Sequence, residues 1–355
     1  MADAGAEGAE RVGTRGSVGR SPAAAEPLVS VLVPVRDHPE GIRTLLSCLE
    51  AQTLARDRFE VVIGDDGSRP ECVPRVETVD GWLRVETGPP RTSYAARNRA
   101  ARVARGDIFA FCDSDCSPQP TWLEEVLAAI VDADVVAGEV TFSAPARPTV
   151  WGLLTIDMFL DQERNVRLSR GVTANLAVRR PLFEELGGFD ESLPSGGDYD
   201  FVQRAVKRGA QLRYAAAAVV RHPTIEDGRK FLRKVWMTNW WSGVRRARAG
   251  DRPEIIGALV LVPILGVMIA RRKALRPVSG LHRPRLRACG VSPRWRDDLR
   301  ALPLLYLVVS YVAGLGRVLG RLEGCRLARA GAAPTYGCAS AELLRNQTAC
   351  GGRAR

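Results

Sequence analysis

The chain has 355 residues, 46% of them apolar, and a formal net charge of +11. That apolar share supports a sizeable core and excludes a chain disordered throughout. The eight cysteines are scattered without CxxC pairs, which excludes a disulfide-stapled scaffold and points to a reduced, intracellular setting.

Residues 1–27 are rich in Ala, Gly, Arg and Glu, with no apolar stretch, and read as a disordered tail without a secretory signal. From residue 29 the character changes. VSVLVPV (29–35) is the continuous, β-branched run of a strand buried on both faces. Ile42, Leu45, Leu46 and Leu49 recur at helical spacing. FEVVIG (59–64) and WLRVET (82–87) read as strands, 95–105 as a helix, and DIFAFC (107–112) as another strand. A helix over 121–133 and a strand over 134–140 follow. Alternating strands and helices predict an α/β fold with a mostly parallel sheet flanked by helices. Ligands bind such sheets beyond the carboxyl ends of the strands.

After about residue 225 this alternation stops. Residues 255–270 and 301–316 are long uncharged runs, each a little short of a bilayer span. The Arg-rich stretch between them would lie outside the cytoplasm in a simple spanning hairpin, against the positive-inside rule. Two helices lying in or dipping into the cytoplasmic leaflet fit better, with 255–316 on an anionic membrane surface. Residues 226–323 therefore read as a helical, membrane-associated region and 324–355 as a flexible tail.

Three acidic motifs carry the chemistry. Asp113-Ser114-Asp115 follows a strand; carboxylates at i and i+2 project to one side and repel unless a cation joins them. Oxygen ligands suit Mn²⁺ or Mg²⁺, which keep positions open for phosphates. An acidic turn before a helix gives the same letters. Cys112 and Cys116 bracket the triplet, but no Cys or His pair adjoins them in sequence, which argues against zinc. Asp65-Asp66-Gly67-Ser68 ends a second strand, placed either to contact a nucleoside or to form an Asp-Gly turn. Asp198, after Ser195-Gly196-Gly197, stands at a helix start, as a general base or as an N-cap. His222 ends a strand-like run and is either a metal or phosphate contact or a structural histidine.

In order along 28–225, VSVLVPV, LLSCLEAQT, VVIGDDGS, YAARNRAARVARGDIFAFCDSDC, TANLAVRRPLFEELGGFDESL and GGDYDFVQRAVKRG resemble the family 2 glycosyltransferases. The resemblance implies a GT-A catalytic domain over 28–225 and inverting transfer from a nucleotide-diphosphate sugar to a hydroxyl acceptor. It implies that Pro34, Val35, Arg36 and Asp37 line the base pocket and that Asp66 contacts the base. Arg97 and Asn98 would shape the nucleotide pocket, and Asp113 and Ser114 would meet the nucleotide sugar. Asp115 would be the direct metal ligand, aided by Asp113 and His222, and Asp198 the catalytic base. Gly197 stands where many members carry Glu, and Ala100-Ala101 where many carry Gly. No QxxRW motif is present; Asn239-Trp240-Trp241, with Arg245 and Arg246 nearby, points to transfer of a single sugar. A membrane-apposed tail suggests a lipid-linked or cell-envelope acceptor at the cytoplasmic face. The alternative is a non-catalytic, degenerate relative that binds a nucleotide sugar or a partner. A nucleic-acid binder would explain the arginines but not the acidic strand ends, so nucleic acid is not an expected partner.

Overall fold

The computed structural model describes residues 28–72, 82–143, 149–250 and 302–329, together with Cys289. In chain order the strands and helices are β1 (Val29–Val35), α1 (Pro39–Glu50), β2 (Phe59–Asp65), β3 (Leu83–Thr87), α2 (Ser93–Val103), β4 (Ile108–Cys112), β5 (Ser117–Pro118), α3 (Trp122–Ile130) and β6 (Val135–Ser143). Then come α4 (Val150–Met158), α5 (Gln162–Arg167), β7 (Asn175–Arg179), α6 (Arg180–Glu185), α7 (Gly197–Lys207), β8 (Leu212–Pro223), α8 (Gly228–Arg248) and α9 (Leu302–Arg329).

The strands form one sheet in the order β3-β2-β1-β4-β7-β6-β8-β5. β1 pairs in parallel with β2 and β4, and β2 with β3. The continuous apolar runs follow from burial on both faces. Val29, Val31, Val33 and Val35 join one core with Ile42, Leu45 and Leu49 of α1 and Trp122 of α3. Leu32 and Val62 point the other way, into a core with Ala100 of α2, Phe183 of α6 and Phe201 of α7.

The sheet is mostly parallel as expected, with β6 and β8 also paired in parallel, but two reversed strands make it mixed. β7 runs antiparallel to both β4 and β6, and β5 antiparallel to β8. β7 was hidden because its sequence, NLAVR, is short and runs directly into a helix. Asn175 at its start explains part of the geometry. Its amide donates to the carbonyls of Glu139 and Ala218, both at 2.8 Å, and accepts from the Trp122 indole at 2.9 Å. Those bonds fill the register shift between Gly138 and Glu139 where β6 meets β8.

α8 begins with Asp227 capping the Lys230 N–H at 2.7 Å. It buries Phe231 and Val235 with Leu154 of α4, and Trp241 and Val244 with Leu193. α9 packs along α8 through Gly316, Gly320 and Gly324. A Cβ on Gly324 would stand 2.8 Å from the Val244 carbonyl oxygen, and one on Gly320 would collide with that of Trp240. The two backbones therefore touch, as small residues at four-residue spacing permit.

Residues 255–270 lie outside the described residues, whereas most of 301–316 falls in α9. α9 continues to Arg329, into the segment read as a flexible tail. Among the described residues, no helix is long and apolar enough to cross a membrane.

Candidate active site

The chemistry gathers at the carboxyl ends of β1, β2, β4 and β8 and at the start of α7. Parallel pairing puts Val35 beside Asp65, so the loops after β1 and β2 meet. The Asp66 N–H donates to the Val35 carbonyl at 2.8 Å. Asp37, with φ +51°, accepts from the Arg69 N–H at 2.8 Å, and its own N–H donates to Ser68 Oγ at 2.9 Å. Gly67 closes the turn at φ +72°, a conformation glycine adopts without strain. Asp37 thus braces the Asp66 turn, while Pro34 and Val35 form the buried floor and Arg36 is exposed. Asp66 is buried and accepts from the Arg91 N–H at 2.8 Å. Burial raises its pKa, opposed by that hydrogen bond and by the charges of Arg36 and Arg99.

Asp113, Ser114 and Asp115 are partly exposed beyond β4. Asp113 pairs with Arg97, whose side chain is almost wholly buried. Asn98 turns instead toward the GGFDE segment. It donates to the Phe189 carbonyl at 2.8 Å and to Glu191 at 3.1 Å, and accepts from the Phe189 N–H at 3.0 Å. Ser117 of β5 pairs with Arg221 of β8, which stitches the acidic triplet to the end of β8. That stitch brings His222 Nε2 within 3.5 Å of an Asp115 carboxylate oxygen. His222 Nδ1 lies 2.7 Å from the Pro223 carbonyl. A carbonyl only accepts, so Nδ1 carries a proton, and Nε2 is the ring nitrogen that faces Asp115.

Asp115, Cys116 and His222 offer ligand atoms within 4.8 Å of one another. Hydrogen bonding with Cys112 and burial push the Cys116 thiol well above its ordinary pKa, so it stays protonated beside an oxygen and a nitrogen donor. The donor set Asp115–His222 fits a hard divalent cation that completes its shell with substrate oxygens. Asp113 is held to Arg97, outside that cluster.

Asp198 opens α7. One carboxylate oxygen accepts from Tyr94 Oη at 3.0 Å and from the Tyr199 N–H at 2.9 Å; the other receives the Thr173 N–H at 3.4 Å. Burial raises its pKa against those bonds and the Arg97 charge, making it a stronger base than a solvated carboxylate. Asp198 does not cap α7; Gly196, at φ +80°, occupies that position. The missing glutamate has a steric account. A Cβ on Gly197 would lie 2.9 Å from two Tyr94 ring carbons, so Tyr94 fills that space.

Sequence reading missed Tyr94 and Thr173, which reach Asp198 from 104 and 25 residues away. No local pattern marks either contact, since one is a tyrosine on a helix face and the other a backbone N–H.

The family described as Glycosyl transferase family 2 matches residues 30–187. Glycosyltransferase AglE of Haloferax volcanii is 33% identical over 206 residues, 56% of this chain and 67% of that protein. Pre-mycofactocin glycosyltransferase of Mycobacterium tuberculosis is 30% identical over 252 residues, 66% of this chain and 50% of that protein. The chain thus spans two thirds of the length of one relative and half of the other. The solved structure of GalNAc-T7 with UDP, GalNAc and Mn²⁺ has a TM-score of 0.47 at 17% identity, over 63% of this chain and 51% of that one. Matched by that family's model and by a relative at 33% identity over two thirds of its length, the chain belongs to glycosyltransferase family 2.

Proposed function

We propose that this protein is a metal-dependent, inverting transferase that moves one sugar from a nucleotide-diphosphate sugar to an acceptor hydroxyl. One observation carries the reading. Asp66, Asp115–His222 and Asp198 come from separate elements yet lie around one end of the sheet, and Arg97 pairs with Asp113 while acting on Asp198.

Asp66, in the loop floored by Pro34 and Val35, receives the base, and Asp113, Ser114 and Arg97 border the ribose and sugar. Asp115 and His222 would hold Mn²⁺ or Mg²⁺, whose charge would stabilise the leaving diphosphate. Asp198 accepts the proton of the acceptor hydroxyl, whose oxygen bonds to the anomeric carbon while the bond to the diphosphate oxygen breaks. One displacement from the face opposite the leaving group inverts that carbon. Tyr94 and the Thr173 and Tyr199 amides hold the Asp198 carboxylate in place.

The acceptor is lipid-linked or part of the cell envelope, and the protein works at the cytoplasmic face of a membrane. Supporting this, α9 exposes Val308, Tyr311, Leu319 and Leu322 at helical spacing, followed by Arg326 and Arg329. The direct test is a panel of UDP-, GDP- and dTDP-sugars with Mn²⁺, read by binding and slow hydrolysis. Metal-dependent binding of at least one donor is expected; none with any donor would end the enzymatic reading.

A further inference from the structure

Two arginines that the donor machinery does not use lie close to Asp198. Arg170 belongs to the loop that also supplies the Thr173 amide, and Arg245 to the last turn of α8. Arg245 Nε stands 3.7 Å from where a Cβ on Gly196 would sit, at the mouth of α7. Both guanidiniums act on the Tyr199 hydroxyl, and Arg170 lies 5.4 Å over the Tyr199 ring.

Their partners are incomplete. The Nε atoms of both are buried without a hydrogen-bond acceptor. Arg245 donates to Gln203 at 2.7 Å, a neutral partner. Among the described residues, neither has a carboxylate in ion-pair range. Asp198 and Asp200 lie within electrostatic reach of Arg245, but Asp198 is held by Tyr94 and two amides, and Asp200 by Arg204 at 2.8 Å. Burial, and then the Arg170 charge, push the Arg245 pKa below its ordinary value. Two cations are thus partly desolvated side by side, an arrangement that costs free energy until an anion joins them. A cleft of about 520 Å³ opens beside Arg245; Arg204, Lys207, Arg246 and Arg248 outnumber Asp190 and Asp200 on its walls.

The position assigns the anion. Arg97 couples Asp198 to the donor side through Asp113, whereas Arg245 acts on Asp198 from α8 and Arg170 covers the adjacent Tyr199 from the loop before β7. We propose that Arg170 and Arg245 form an anion site on the acceptor side of Asp198, taking a phosphate group carried by the acceptor. Planar guanidiniums grip phosphate oxygens with paired hydrogen bonds and would deliver the neighbouring hydroxyl to the base. This assignment rests on the transferase reading above.

The full chain would be titrated calorimetrically with inorganic phosphate and with dihexanoyl phosphatidic acid below its micelle concentration. Wild-type protein should bind phosphate, and Arg170→Gln and Arg245→Gln should each weaken it by about tenfold or more. Arg245→Lys, which keeps the charge but not the fork, should fall between. Tighter binding of the lipid than of inorganic phosphate assigns a lipid-linked acceptor, and equal binding a soluble one. UDP with Mn²⁺ should leave phosphate affinity unchanged. Displacement of phosphate by UDP would overturn the proposal by giving the pair to the donor diphosphate. No phosphate binding by wild type, or equal binding by folded variants, would also overturn it. Phosphate binding with the expected losses, but no binding of any nucleotide sugar, would keep the anion site and reject the transferase reading.

Discussion

Replacing Asp198 with asparagine separates a structural role from a catalytic one, because the two roles differ in size. Asparagine has the same shape. Its oxygen belongs where Tyr94 Oη and the Tyr199 N–H both donate, which leaves its NH₂ facing the Thr173 N–H. One hydrogen bond, the long one at 3.4 Å, is lost. That costs about 1 kcal/mol, or roughly 2–4 °C in Tm. A second effect opposes it. Since burial raises the Asp198 pKa, the native state holds that proton more tightly than the unfolded chain. The group's contribution to stability is therefore present at low pH and lost as pH rises through its native pKa. Near neutral pH, asparagine removes that ionisation cost. The net change in Tm is therefore small. Loss of a general base is typically worth about 10²–10⁴ in rate, or roughly 3–5 kcal/mol of barrier. The assay is Mn²⁺-dependent hydrolysis of the best donor, with water in place of the acceptor, beside donor titration and thermal unfolding. Donor affinity and Tm near wild type, with hydrolysis down at least about a hundredfold, are expected. Hydrolysis within about threefold of wild type, in a variant that binds donor, would refute the assignment of Asp198 as base.

Tyr94→Phe removes a donor that favours the ionised carboxylate, so the Asp198 pKa rises further and the acid limb of the hydrolysis profile moves to higher pH. An unmoved limb would show that this bond does not tune the base. His222→Ala should weaken Mn²⁺ binding by about tenfold or more in a direct metal titration, and unchanged affinity would remove His222 from the metal site. Gly197→Ala drives a methyl into the Tyr94 ring, at a cost of about 1–3 kcal/mol, or roughly 2–12 °C in Tm by calorimetry. An unchanged Tm would mean that the ring moves aside freely.

The parallel half of the sheet was legible because burial on both faces writes itself into continuous runs such as VSVLVPV and FEVVIG. The acidic strand ends were legible for the same reason, since the strands fix where each loop emerges. The two reversed strands were not. β5 has two residues and β7 five, too short for a pattern, and β5 is what carries the acidic triplet to His222. The spacing argument against zinc likewise could not foresee Cys116 beside His222, because that neighbourhood depends on β8. Asn98 shows a further limit. Its amide bonds to the GGFDE turn 91 residues on, a contact that no local pattern marks. Tyr94 and Gly197 are legible only as a pair, each explaining the size of the other.

The glycine seam between α8 and α9 bears on how movement is relayed. Helices separated by long side chains can slide while rotamers absorb the strain. Here carbonyl oxygens of α8 sit against glycines of α9, and Gly243 of α8 meets the α9 backbone in turn. Such a joint is indexed: it moves in steps of a helical turn or not at all. α8 starts a few residues after His222 and carries Arg245 in its last turn, at the mouth of α7. Whatever fixes the attitude of α9 therefore also sets that of α8, and with it the alignment of the metal end of the site with the base end.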